Sequence, residues 1–274
     1  MLSHKALIDD INSCTLTENE AAFWWLGQHS FILKTYSKII YFDPFLSEHP
    51  NRLLQPLLNA AELRENADIV LGSHDHIDHI DHDLLKDVAA QGNSITFIVP
   101  ELLRKGLQSE LNINHAQIFG CDDDCSIELE EVKITGIAAA HEFLDQDEKT
   151  KQYPYLGYIV EVDGMVFCHS GDTCIYEGMY QRLKQWNFDI VFLPINGRDA
   201  GRLRSGCIGN MTYQEAADLS GALKPKLTVP GHYGMFAKNT IDPDLFRDYM
   251  NVKYPDLKVC VCEPGTKYMY RKNI

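Results

Sequence analysis

Short runs of β-branched and aromatic residues, each closed by Gly, Pro, Asp or Asn, punctuate the chain. Phe31–Thr35, Ile39–Phe42, Ile69–Leu71, Ile95–Val99 and Val132–Thr135 come first; Tyr158–Val162, Met165–Cys168, Ile190–Leu193, Leu227–Val229 and Val259–Val261 follow. Runs of this length and makeup predict strands. Between them, Leu84–Ala90, Leu102–Leu111 and Tyr176–Trp186 predict helices. The clearest helix start is Thr212-Tyr213-Gln214-Glu215, a capping box opening a helix that runs toward Leu223 and cannot easily pass Pro225. The order repeats. The hairpin-like stretch from Phe31 to Pro44 resembles that from Tyr158 to Thr173, and Asp68–Gly72 resembles Asp189–Leu193. Two weakly similar halves predict two sheets, each with helices outside. No low-complexity linker separates them, so residues 1–274 read as one domain.

Composition narrows the function classes. Of 274 residues, 45% are hydrophobic and 23% charged, as in ordinary globular proteins. The formal net charge of −14 argues against a nucleic-acid partner, because phosphates must be neutralised by Lys and Arg. No apolar stretch is long enough to span a membrane, and the first residues, Met1–Ala6, lack a secretory signal pattern. The expected compartment is the cytoplasm, with no membrane partner; a homo-oligomer is compatible with the sequence. The eight cysteines are scattered. Cys168, Cys260 and Cys262 lie in apolar runs and read as buried free thiols. Cys121 and Cys125 flank an acidic turn, a weak zinc signal without a second pair.

The strongest chemical signal is Ser73-His74-Asp75-His76-Ile77-Asp78-His79, just past the strand Ile69–Leu71 and the break at Gly72. Three imidazoles and two carboxylates crowd into six positions, a density that a buried site tolerates only around a compensating ion. His74 and His76, two apart on an extended segment, face one way. Asp78 and His79 follow as the chain turns into the next helix and reach a neighbouring ion. Three more donors share one context, a ligand-type side chain just past an apolar run: His141 after Ile137–Ala140, Asp172 in His169–Thr173, and His232 in Pro230–Tyr233. Imidazole and carboxylate donors suit zinc or manganese, and iron also fits.

The segment matches the HxHxDH signature of the metallo-β-lactamase superfamily, and His141, Asp172 and His232 follow in the order that family uses. From Trp24 to Gly265 the chain resembles it. The resemblance implies an α/β fold, a four-layer αββα sandwich with the site at one edge between the sheets. It implies that His74, His76 and His141 hold a first divalent ion, that Asp78, His79 and His232 hold a second, and that Asp172 bridges them. Trp24–Gly27, Tyr41–Phe45, Ser170–Thr173 and Asn196–Arg198 look like the branch containing L-ascorbate-6-phosphate lactonase. The chain departs from that branch in lacking a long insertion before the metal segment and in its pattern around Gly231-His232-Tyr233.

The activity implied is a dinuclear metal-dependent hydrolase that uses a metal-bridging hydroxide, with Asp78 as catalytic base and proton carrier. The expected substrate is a small anionic metabolite such as a phosphorylated sugar lactone or ester. The alternative is a metal-dependent phosphodiesterase acting on nucleic acid or phospholipid. For substrate binding, Arg198, with Asn196 beside it, leads the arginine-rich stretch 196–204, since guanidinium forks pair with phosphate or carboxylate; Tyr233, next to His232, is a further candidate. Asp43, in the strand-to-Pro turn at Pro44, either fixes the tautomer of a ligand histidine or simply caps the turn. His29 either lines the pocket or is structural.

Overall fold

The computed structural model describes residues 4–90 and 94–272. In chain order the elements are α1 (His4–Ser13), β1 (Glu20–Gly27), β2 (Ser30–Lys34), β3 (Ile39–Phe42), α2 (Ala60–Asn66), β4 (Ile69–Leu71), α3 (His82–Ala89), β5 (Thr96–Pro100), α4 (Glu101–Glu110), β6 (Ile118–Cys121) and β7 (Ser126–Leu129). They continue with β8 (Val132–Ala138), β9 (Leu156–Val162), β10 (Met165–His169), α5 (Met179–Leu183), β11 (Ile190–Pro194), α6 (Ala200–Arg204), α7 (Tyr213–Leu223), β12 (Leu227–Gly231), α8 (Pro243–Lys253) and β13 (Lys267–Arg271).

Two mixed sheets form. One runs β13-β1-β2-β3-β4-β5-β6 and the other β12-β11-β10-β9-β8-β7. The two halves repeat, as the sequence patterns predict. In the first, β1, β2 and β3 pair antiparallel, then β4 and β5 add in parallel. In the second, β8, β9 and β10 pair antiparallel, then β11 and β12 add in parallel. Parallel strands need covered faces, because their crossovers lay helices on the sheet. The burial of β1 shows the layering directly. Phe23 and Trp25 join Phe31, Phe42, Ile134, Val160, Phe167 and Phe192 in a core between the sheets. The alternate residues, Trp24 and Leu26, pack with Leu7 and Ile11 of α1, Leu63 of α2, Leu84 and Val88 of α3 and Leu107 of α4. The second sheet is covered by α5, α7 and α8 through Met179, Ala216, Ala217, Phe246 and Met250. The result is the four-layer αββα sandwich.

Two predicted elements differ. The helix expected over Tyr176–Trp186 shrinks to α5, because Gly178 takes a left-handed conformation (φ 86°) and the helix starts only at Met179. Val259–Val261 is not a strand. It meets β12 through one bridge, Thr228 to Val259, before the chain leaves toward Pro264 and Gly265. The capping box at Thr212 and Glu215 is present, closing the N-terminus of α7.

Candidate metal centre

The cluster forms where strands of both halves end. Past β4 the chain passes Gly72, where a Cβ would lie 2.7 Å from Cγ1 of Ile80, so only glycine lets the next turn fold back this closely. Successive turns then wind 74–80, with His79 N donating to His76 O (2.9 Å) and Ile80 N to the same carbonyl (2.8 Å). Asp81 caps α3 by accepting from Leu84 N. This puts His74, His76, Asp78 and His79 on one short coil. The second half sends in His141 past β8, Asp172 past β10 and His232 past β12.

Donor atoms from distant parts of the chain meet in three groups, each with all its atoms within 4.8 Å of one another: His74, His76 and His141; His74, His79 and Asp172; and Asp78, His79 and His232. Asp172 is the hub. Its Oδ2 lies 2.9 Å from Nε2 of His232, 3.4 Å from Nε2 of His79 and 3.8 Å from Nε2 of His141. His74 Nε2 and His76 Nδ1 approach to 2.9 Å. Asp78 Oδ2 lies 3.7 Å from His79 Nε2 and 3.9 Å from His232 Nε2.

Burial and charge pull these groups apart. Burial drives the imidazoles of His74 and His141 toward the neutral form, His141 to about 4. Burial also opposes ionisation of Asp172, but His232 and His79 outweigh it and hold the carboxyl well below its usual range. His79 goes the other way. Burial disfavours its charge, yet Asp172, Asp78 and Asp43 together raise it well above an ordinary histidine.

Divalent cations fit this donor set. Asp172 Oδ1 and His79 Nε2 are buried without a hydrogen-bond partner, a state that native interiors rarely tolerate. Both belong to the donor groups; His74 and His141 as neutral imidazoles and Asp172 as carboxylate are in the forms that bind divalent ions, and His79 would give up a proton to join them.

The surrounding contacts tie the donors into the fold. Asp43 is buried and does more than cap a turn. Its Oδ1 accepts from Ser73 N (2.7 Å), and its Oδ2 accepts from Ser73 Oγ (2.7 Å) and meets His79 Nδ1 at 2.6 Å. His141 Nδ1 lies 3.2 Å from Gly209 O. Gln28 had no signal of its own in the sequence. Its Nε2 donates to Asp78 Oδ2 (2.9 Å) and its carbonyl accepts from His232 N (2.6 Å), so it ties two donors together. His29 is fully buried with neither ring nitrogen paired, its ring 4.1 Å from that of His169.

The substrate-binding candidates sit differently. Arg198 donates through both terminal nitrogens to Glu215 (2.7 and 2.8 Å) and also to Asn210 O. Asn196 is buried, donating to Asn239 Oδ1 and accepting from Asn210. Tyr233 is turned away from the donor cluster. Its ring packs on Trp25 at 4.4 Å and its hydroxyl donates to Cys262 O. His232, just before it, takes a left-handed φ of 60°.

A family profile described as the Beta-lactamase superfamily domain matches residues 38–233, a span enclosing every donor of the cluster. The chain belongs to the beta-lactamase superfamily. Within this superfamily it is similar to a UPF0173 metal-dependent hydrolase of Archaeoglobus fulgidus, with 27% identity over 252 residues, 90% of this chain and 98% of the relative. It is also similar to the UPF0173 metal-dependent hydrolase LI0883 of Lawsonia intracellularis, at 26% over 245 residues, 88% of this chain and 96% of the relative. Among solved structures, Igni18, a metallo hydrolase from the hyperthermophilic archaeon Ignicoccus hospitalis, shares the fold. Its TM-score is 0.71 at 21% identity, over 93% of this chain and 100% of that one.

Proposed function

We propose that this chain is a dinuclear metal-dependent hydrolase of small lactones or esters. The observation that carries the reading is the position of Asp172, whose one oxygen is within 4 Å of imidazoles from both prospective ion sites. His74, His76 and His141 would hold one ion, Asp78, His79 and His232 the other, with Asp172 between them. Zinc and manganese suit these donors best, and iron is compatible. Such ions, when bound, supply Lewis acidity and bring the pKa of water toward neutrality.

The chain's own residues do the rest. Asp43 keeps the Nδ1 proton of His79 pointing backward, so Nε2 faces the cluster. Gln28 fixes Oδ2 of Asp78. The Asp78 side chain is 14% exposed, whereas His79 and His232 beside it are closed off. It is therefore the carboxylate of this group that reaches a substrate, taking a proton from the attacking water and returning it to the leaving oxygen. Ile77, between two donors, and Phe143, two residues past His141, are both exposed and offer apolar surface to a substrate.

The substrate class we carry forward is a small anion such as a phosphorylated sugar lactone or ester. Arg198 is its recognition element, exchanging Glu215 for the substrate's charge. A phosphodiesterase of nucleic acid is the weaker reading, since a net charge of −14 works against phosphate backbones. The test is turnover of a panel of lactones and esters, phosphorylated and not, by protein reconstituted with zinc or manganese. Asp78→Ala should abolish turnover while leaving the fold intact by circular dichroism. A reconstituted protein that opens nothing in the panel, or a chelated one that keeps its full rate, ends the proposal.

A further inference from the structure

Two thiols stand together outside the metal centre. The segment Val259–Glu263 leaves β12 after one bridge, with Cys260 N donating to Thr228 O and Thr228 N to Lys258 O. The Sγ atoms of Cys260 and Cys262 lie 3.8 Å apart, so the two side chains turn toward each other. Cys262 is buried, while Cys260 is partly open to solvent. Of the remaining cysteines, none has a thiol–thiol contact among the described residues.

We propose that Cys260 and Cys262 form a reversible dithiol–disulfide site, with Cys260 the peroxide-reactive thiol and Cys262 the resolving one. The roles follow from access. A sulfur that meets an oxidant must be reachable, and the resolving sulfur need only be adjacent. The asymmetry of the pair agrees: hydrogen bonding from Cys262 lowers the Cys260 thiol, and the same contact raises that of Cys262. The Cys260 thiolate attacks a peroxide oxygen, the O–O bond breaks, and the sulfur becomes a sulfenic acid as the peroxide leaves as alcohol or water. The Cys262 thiol then attacks that sulfur. The new S–S bond forms, the sulfenic hydroxyl departs as water with the Cys262 proton, and two electrons have passed from the thiols to the peroxide. Residues two apart are at most about 6.6 Å apart between Cα atoms, at full extension, the upper end of the roughly 4.4–6.8 Å that a disulfide accepts, so the S–S bond closes with the segment bent at Val261. Val259–Val261 is held by a single bridge, so closing the sulfurs disturbs no sheet ladder.

The location gives the reaction a consequence. Cys262 O accepts the hydroxyl of Tyr233, the residue after His232, and Tyr233 packs on Trp25. A disulfide here alters the segment that holds Tyr233, the residue next to the donor His232.

The test uses the full-length protein and hydrogen peroxide. Cleavage after Lys258 and Lys267 releases one peptide, Val259–Lys267, which contains both cysteines and no others. After peroxide treatment and alkylation, that peptide should be lighter than its reduced form by two hydrogens and carry no alkyl group. A thiol reductant should restore two alkylation sites. Cys262→Ser should leave a sulfenic acid on residue 260 that dimedone captures. If the peptide from peroxide-treated wild-type protein still takes two alkyl groups while the exposed Cys125 is oxidised, the assignment is wrong. Dimedone capture at Cys260 in the wild-type protein, with Cys262 still alkylated, overturns it as well.

Discussion

Asp43→Asn separates the charge of a residue from its shape. In the wild-type protein Oδ1 accepts from the main-chain Ser73 N, which can only donate, and Oδ2 serves Ser73 Oγ and His79 Nδ1. An asparagine must keep its oxygen on Ser73 N, which places the amide NH2 against His79 Nδ1. Two donors cannot face each other, so Nδ1 gives up its proton and the ring carries it on Nε2. That nitrogen lies 3.4 Å from Asp172 and 3.7 Å from Asp78, where the ion sites need a bare lone pair. The backbone does not confuse the result: Asp43 has φ 43°, a left-handed conformation that asparagine adopts readily.

The size of the effect follows from the contacts. Altering a group that orients a metal-binding histidine typically lowers metal affinity about 10–100-fold, or about 1.4–2.7 kcal/mol. We expect a loss in this range for zinc or manganese, measured by competition with a chromophoric chelator. Stability of the metal-free protein should fall by about 1.5–3 kcal/mol, the scale of one hydrogen bond to a charged group. Nitrogen-15 NMR of the histidines reads the tautomer itself. A variant whose His79 still carries the proton on Nδ1, and which holds metal as tightly as the parent, would refute the argument.

Three further outcomes are expected. Gly231→Ala would place a Cβ 2.4 Å from Nδ1 of the fully buried His29; overpacking of this kind costs about 1–3 kcal/mol, to be read as a lowered urea midpoint, and an unchanged midpoint would mean that His29 has room to move. Thr212→Ala removes the hydroxyl that accepts from Glu215 N at the start of α7 and should cost about 1 kcal/mol in the same assay. His82 meets Asp75 at 2.7 Å and Glu110 at 2.8 Å; burial lowers it, but these carboxylates win and raise it above 6.5. The stability it contributes is therefore complete below pH 6.5 and lost as the pH rises through the higher folded value. His82→Gln should flatten that part of the pH profile between about pH 6 and 8, and a profile unchanged by the substitution would discard the pairing as a source of stability.

Which features the sequence disclosed depended on how local their cause was. The donors at 74–79 crowd into one turn, and His141, Asp172 and His232 each follow a recognisable strand, so residue type and position were enough to bring them to attention. β1 left no such trace. Glu20–Gly27 is apolar on both faces because one face meets the second sheet and the other the helices, and a strand without alternation has no period to read. α8 carries a signal of another kind, Asp242 as cap with Pro243 at the first helical position, which apolar periodicity does not report. Arg198 carries a partner that the sequence does not reveal. An arginine-rich loop in an acidic chain suggests an anion site, and the fold places Glu215, 17 residues on, against both terminal guanidinium nitrogens. Tyr233 adjoins His232 in sequence, while its ring packs on Trp25 and its hydroxyl reaches Cys262 O, contacts that the sequence does not disclose.

The repeated topology explains why His79 occupies the pivotal place in the cluster. β3 and β10 are corresponding strands: each is the second arm of an antiparallel hairpin and each is followed across the sheet by a parallel neighbour. Each also releases a carboxylate just past its end, Asp43 one residue beyond β3 and Asp172 three residues beyond β10. His79 lies between them, with Nδ1 on Asp43 and Nε2 toward Asp172. The two halves thus divide the labour of one imidazole, the first setting its proton and the second sharing its open face with the remaining donors. A carboxylate at Asp43 alone would orient a ring with nothing to hold. One at Asp172 alone would face a ring free to present either nitrogen. The candidate site draws on both sheets because each supplies one of the two carboxylates that His79 meets.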